Sequence, residues 1–211
     1  MENIEVFNRL AKAYDNWFEL NSYAYRSEIL AVQKFLPKNG LGLEVGVGTG
    51  RFAAPCGIKM GVEPARAMAD KARARGIEVC QAEAEKLPFP NGVFDFILMV
   101  TVICFLKDPL QALREVKRVL KPQGQLIIAM IDKESPLGRA YELRKNESEF
   151  YRGAHFYSVD QVRDWLASLK FEEFRICQTI FNNTQGLTGI ETVKDGYGHG
   201  VFAVISVKKP K

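Results

Sequence analysis

Leu41-Gly42-Leu43-Glu44-Val45-Gly46-Val47-Gly48-Thr49-Gly50 couples an apolar run to three glycines spaced two apart. Glycine lets a backbone turn sharply or approach a ligand closely, because no Cβ stands in the way. A strand that ends in such glycines and runs into a helix presents bare N–H groups, a natural seat for a small ligand. The strand-like Ile58-Lys59-Met60-Gly61-Val62 ends in Glu63. An acidic residue there can accept both hydroxyls of a ribose. The spacing also speaks against one chemistry. A dinucleotide fingerprint needs its third glycine three residues after the second, and that position is Arg51. Gly50 falls one residue early, which leaves a nucleoside rather than a pyrophosphate.

Other reactive side chains are few. Asp132, His155, Tyr157 and His199 are the candidate general bases, and nothing in the sequence selects one. The two histidines are far apart, and Cys56, Cys80, Cys104 and Cys177 form neither a C-x-x-C pair nor a metal spacing. No metal site is expected, and the cysteines read as buried structural thiols.

The elements that must position these residues follow from periodicity. Phe7, Leu10, Tyr14, Trp17 and Phe18 recur at helical spacing, as do Tyr25, Ile29, Val32 and Leu36. Two helices therefore precede the first strand. After Gly50, Pro55 limits any helix to one or two turns. A helix starts at Pro64, and Ile77-Glu78-Val79-Cys80 is a third strand. Phe94 to Val100 is apolar throughout, as in a strand buried on both faces. Asp108-Pro109-x-Gln111 opens a helix with a cap, a proline at N1 and a capping-box partner. Gln125 to Ile131 is the next strand. Ser135-Pro136 and Ser158-x-x-Gln161 begin two further helices, and Phe171 to Phe181 and Val201 to Val207 two further strands. The polar, glycine-rich stretch 182–200 between them is long enough to be functional. Alternating strands and helices predict a doubly wound α/β sheet of about seven strands. It should be mostly parallel with an antiparallel last strand, which permits a hairpin at one edge. Helices should cover both faces. Ligands in such sheets bind beyond the carboxyl ends of the strands.

The 211 residues fit one domain, 1–211. Residues 1–37 are the N-terminal helices, 41–131 the binding core, and 132–211 the substrate-side elements and C-terminal hairpin. A net charge of +4 without a basic run does not indicate nucleic acid. No apolar run suits a membrane and no secretory leader is evident, so a cytoplasmic location is expected.

At this point the chain resembles the class I S-adenosylmethionine-dependent methyltransferases, in particular their "type 11" small-molecule group. Leu43 to Gly50 matches that family's first motif, and Gly61-Val62-Glu63-Pro64 its acidic second-strand end. Ala84-Glu85-Lys86-Leu87-Pro88-Phe89 matches its A-E-x-L-P-F loop, and Leu120-Lys121-Pro122-x-Gly124 its L-K-P-x-G helix end. The likeness is strongest from Leu43 to Ile131. It implies S-adenosyl-L-methionine as cofactor, S-adenosyl-L-homocysteine as product, and a small-molecule methyl acceptor. Gly46 and Gly48 would lie against the methionine part, with Val47 and Pro64 bordering the site. Glu44 would face the cofactor's amino group and Glu63 its ribose. Glu83 and Ala84 would stand beside the adenine, and Val100 would border the cofactor after the fourth strand. On this reading Glu63 serves the ligand alone, so its removal should leave the empty protein's melting almost unchanged.

Two features depart from the family. The segment from Gly50 to Glu63 is shorter by roughly one helical turn. Where many members carry a His-His pair after the fourth strand, this chain has Cys104-Phe105, which makes the expected acceptor wall apolar. Tyr14 and Trp17, three apart on one helical face, would cap the site on a first helix free to hinge as a lid, with Asp15-Asn16 turned away. A non-catalytic S-adenosylmethionine-binding protein would share every motif. A nucleotide-binding oxidoreductase would share the fold but not the glycine spacing.

Overall fold

The computed structural model describes residues 2–184 and 186–211. Met1, and Gln185 within the stretch 182–200, lie outside the described residues. Helices α1 (Glu2–Leu20) and α2 (Ser22–Gln33) precede β1 (Gly42–Val45). Then follow β2 (Met60–Val62), α3 (Arg66–Ala74), β3 (Glu78–Cys80), β4 (Phe94–Val100), α4 (Pro109–Val119) and β5 (Leu120–Ile131). The chain closes with α5 (Pro136–Arg144), α6 (Val159–Ser168), β6 (Glu172–Thr179), β7 (Lys194–Asp195) and β8 (Phe202–Lys208). The strands form one sheet in the order β3-β2-β1-β4-β5-β8-β6-β7. Strands β1 to β5 are mutually parallel, and β8 runs antiparallel to both its neighbours.

The expected sheet is present, and its last two long strands, β6 and β8, pair antiparallel as expected. Strand β8 lies between β5 and β6, in register with β5 from Gln125↔Lys208 to Ile131↔Phe202. The reason lies in its composition. Six of its seven residues are buried, so both faces and both edges must be covered. The amino-terminal half of β6 is largely exposed and suits a place further out. The two-residue β7, drawn from the long polar stretch, takes the edge.

Side chains alternate between two apolar layers with the period of two that a strand imposes. Ile97, Met99, Leu126, Ile128, Ala203 and Ile205 pack with α4 and α6. Phe96, Leu98, Val100, Ile127, Ala129 and Val204 pack with α2 and residues Phe52 and Ala53. Asp108 accepts the Gln111 N–H at 2.9 Å, while the Gln111 side chain reaches Glu85 O instead of completing a capping box. Ser158 and Gln161 do form the reciprocal box. The expected short helix after Gly50 is a succession of turns. Pro55 has no N–H to donate, so the ladder begun by Ala54 N–H to Gly50 O cannot propagate. Cys104 and Cys177 are buried as expected, but Cys80 is exposed because β3 is an edge strand, and Cys56 is only half-buried. No helix among the described residues is long and apolar enough to cross a membrane.

Helix α1 lies across the carboxyl end of the sheet and is fastened there. Asn8, Ala11 and Asp15 fall on one helical face. Ala11 packs with Ala65 and Met68, and Asn8 Oδ1 accepts the Ala67 N–H at 2.9 Å at the start of α3. Asp15 does not line the crevice and enters a charge cluster instead. Its side chain is only 12% exposed and pairs with Arg51 Nε at 2.8 Å and Arg75 Nη2 at 2.9 Å. Arg75 also donates to Thr49 O at 2.8 Å, so one cluster joins α1 to the glycine turn. The expectation of an untethered hinge is thereby corrected. Burial alone would raise the Asp15 carboxyl, but its hydrogen bonds from Arg51 and Arg75 outweigh burial and hold it below the usual carboxylate range.

Removing one partner of a mostly buried ion pair costs about 3–5 kcal/mol. Asp15→Ala should therefore lower the neutral-pH melting temperature by about 6–20 °C at this chain length. The contribution is present above the unfolded carboxylate value of about 3.9 and is lost as pH falls through the depressed folded value. Calorimetry should show the gap narrowing below about pH 4. A constant gap down to acid would mean that the charge cluster is not its source.

Candidate functional site

The strand order reverses about β1, whose neighbours are β2 and β4. The loops after these strands therefore diverge and open a crevice at their carboxyl ends. Into it turns the segment after Val45. Gly46 and Val47 both donate to Val62 O, at 2.8 and 2.9 Å, and Gly50 N–H closes on Val47 O at 2.8 Å. Gly46, Gly48 and Gly50 all have positive φ, but their surroundings differ. A Cβ on Gly46 would meet Val102 Cγ2 at 2.4 Å, and one on Gly50 would meet Ile77 Cδ1 at 2.6 Å. At Gly48 the nearest atom would be Tyr14 Cε1 at 3.7 Å. Two glycines serve packing; Gly48 leaves room for a ligand.

Glu63 lies at the tip of β2, 8% exposed. Its Oε2 accepts the Gly48 N–H at 3.0 Å and its Oε1 the Ala65 N–H at 2.8 Å. Burial raises its pKa against the opposing pull of those two donors. Glu63 thus supports the glycine turn and the start of α3, which corrects the expectation of a purely ligand-facing role. Glu44 is 2% exposed, and its Oε2 has no hydrogen-bond partner. Burial, aided by the nearby Glu63 charge and opposed by a backbone hydrogen bond from Ala53, pushes its carboxyl well above the usual range.

One cavity of about 800 Å³ takes in Gly46, Gly48, Glu63, Pro64, Glu83, Ala84 and Val100. Seven of the nine expected site residues therefore line a common space. Val47 does not, because its side chain packs over Gly61, and Glu44 lies beneath the glycine turn. Glu83 is exposed and holds Lys107 at 3.2 Å. Tyr14 and Trp17 both line the cavity, as expected of a roof, and Tyr14 packs on Phe7, Phe18 and Phe150. Phe105 also lines it, stacked on Tyr151, so this part of the cavity wall is aromatic. None of the four candidate bases does. His155 and His199 are exposed, Tyr157 packs on Trp165, and Asp132 accepts backbone N–H groups of Glu134 and Val159.

The family model described as a methyltransferase domain matches residues 43–128. An uncharacterized protein of Methanocaldococcus jannaschii is 46% identical over 206 residues, covering 98% of this chain and all of that one. A crystal structure from Thermotoga maritima, of a SAM-dependent methyltransferase called a "possible histamine N-methyltransferase", is 47% identical. It covers 98% of this chain and 99% of that one with a TM-score of 0.95. The chain belongs to the class I S-adenosylmethionine-dependent methyltransferases. A ubiquinone/menaquinone biosynthesis C-methyltransferase of Coxiella burnetii is 33% identical over 150 residues, covering 63% of this chain and 58% of that protein.

The methyltransferase cofactor carries a sulfonium and an ammonium, and the site's chemistry fits it. Glu63 and Glu44 are buried acids without a cationic partner among the described residues, and Gly48 offers the space that a Cβ would fill. The sequence reading passed over Glu28, a half-buried carboxylate on the cavity wall. A signal was available: Ala24, Glu28, Ala31 and Phe35 follow the spacing of one helical face, and the other three are buried.

Hydrogen bonds to a charged group are worth about 1.5–3 kcal/mol each. Glu63→Ala should weaken S-adenosylhomocysteine binding at least about tenfold and, by removing two such bonds, lower the empty protein's melting temperature by about 6–24 °C. Titration calorimetry and melting curves read the two effects separately; unchanged affinity would place the ribose elsewhere. Gly48→Val should abolish binding, because its side chain enters the ligand space and strains a left-handed turn. A normal titration would leave Gly48 to the turn alone.

Proposed function

We propose that this methyltransferase transfers the methyl group to a small-molecule acceptor by in-line displacement, with Glu63, Gly46 and Gly48 holding the cofactor. The observation that carries the reading is the single cavity that joins the glycine turn to an aromatic compartment under α1. Its volume of about 800 Å³ lies within the range of about 300–1,000 Å³ typical of small-molecule sites. The Thermotoga and Coxiella relatives carry names that denote small-molecule methylation, which supports the same reading. Such a reaction needs chiefly that nucleophile, methyl and sulfur be aligned; alignment of this kind is worth about 7–11 kcal/mol of barrier.

Transfer of labelled methyl from S-adenosylmethionine into fractionated extract should place the label among small molecules. Label confined to protein or RNA would overturn the acceptor class. S-adenosylhomocysteine at a hundredfold over its dissociation constant should add about 2.7 kcal/mol of stability, a melting shift of about 5–10 °C. NAD should give none. Trp17 emission should change in the same titration; indifference would remove Trp17 from the ligand's roof.

A further inference from the structure

Glu28 sits at a position that reads as core yet lines the cavity. It makes no hydrogen bond or ion pair with any described residue. A carboxylate set among aromatic rings with no counter-charge is costly to keep ionised. Burial pushes the Glu28 carboxyl up to about 8.

Its surroundings are phenolic and acidic. Tyr14 on α1, Tyr141 on α5 and Tyr151 in the following loop all feel its charge. The Tyr141 hydroxyl is engaged with Thr184 Oγ1 at 2.8 Å. Tyr14 also feels the charge of Glu44 and Glu63. Beyond Ser27, Glu191 directs its carboxyl to Phe181 N–H and Asn182. The cations on the cavity wall are Arg144, Lys107 and Lys145, and Lys107 and Lys145 are paired with Glu83 and Glu142. None forms an ion pair with Glu28. What is missing around Glu28 is a positive charge.

We propose that Glu28 is the acceptor-binding carboxylate of this methyltransferase and that the acceptor is a primary or secondary amine, bound as its ammonium ion. The inference rests on the small-molecule reading of the cavity and names the class. The bound ammonium gives one N–H proton to the Glu28 carboxylate. The freed nitrogen lone pair then forms the N–C bond to the cofactor's methyl as the C–S bond breaks, its pair passing to sulfur. The nitrogen leaves positive as the methylated ammonium, the sulfonium ends as a neutral thioether, and Glu28 returns its proton to solvent. A carboxyl that titrates near neutrality is suited to both steps.

Melting of the S-adenosylhomocysteine-saturated protein tests this with a panel of arylalkylamines, from benzylamine to tryptamine, beside the neutral alcohols and carboxylates of the same skeletons. Amines should raise the melting temperature and be methylated, whereas the alcohols and carboxylates should do neither. Amine affinity should rise with pH through about 8 as Glu28 ionises, then fall as the free amine loses its proton. Glu28→Gln should weaken amine binding about tenfold or more and remove the rise near pH 8. Its shift with S-adenosylhomocysteine should persist, which shows that the variant is folded. If alcohols or carboxylates bind as well as amines, if no amine binds, or if Glu28→Gln keeps the rise, the proposal is overturned. Absence of any shift with S-adenosylhomocysteine in the wild type would instead strike at the cofactor reading itself.

Discussion

The structure depends on a short piece of backbone held in a conformation that ordinary residues resist. The turn after β1 has to reverse direction at the point where strand order reverses, and it does so through left-handed glycines. Its first two N–H groups are consumed by Val62 O, and the third free one, on Gly48, is taken by Glu63. This binds β1 to β2 beyond the last ladder pair, so the acid and the glycines cannot move independently. The clash distances at Gly46 and Gly50 show that the turn is gripped by Val102 on one side and by Ile77 and α3 on the other. Only at Gly48 is the surrounding space kept clear. A methyl donor that must lie within bonding distance of a second substrate gains from such rigidity, because misplacement by even 1 Å is expensive in rate.

The roof follows from the same turn. Arg51 occupies the place where a dinucleotide-binding protein would have its third glycine, and it reaches to Asp15 on α1. Arg75 completes the bridge by holding both Asp15 and Thr49 O. The residue that rules out one ligand therefore anchors the cover for another. With Asp15 facing α3, the helical period turns Phe7, Tyr14 and Phe18 toward the crevice, where they pack edge-on to one another and to Phe150.

The legible part of this chain was whatever repeats locally. The apolar runs of β1, β4 and β5, the caps at Asp108 and Ser158, and the Gly46 to Glu63 pairing all carry their cause within a few residues. Less legible was anything decided by distant partners. The insertion of β8 between β5 and β6 depends on burial of its two edges, which a one-dimensional pattern of hydrophobicity does not state. Asp15 reads only as turned away from the site until Arg51 and Arg75 are brought to it from 36 and 60 residues away. Glu63 reads as a ligand residue until its second task, holding two backbone amides, is seen. Glu28 was the nearest miss, since its helical neighbours already marked the position as buried.

Charge links these features. Glu28, Glu44 and Glu63 are all raised by burial, and none has a cationic partner among the described residues. Near a protein surface a unit charge about 4 Å from a carboxylate is worth roughly 4 kcal/mol, against about 1 in bulk water. A cation entering this cavity therefore meets acids that are poorly solvated and gain much from it. Methyl transfer converts the sulfonium into a neutral thioether, so the positive charge that those acids favour leaves the sulfur in the reaction itself. The thioether product is therefore less attracted to Glu63 than the sulfonium cofactor that replaces it.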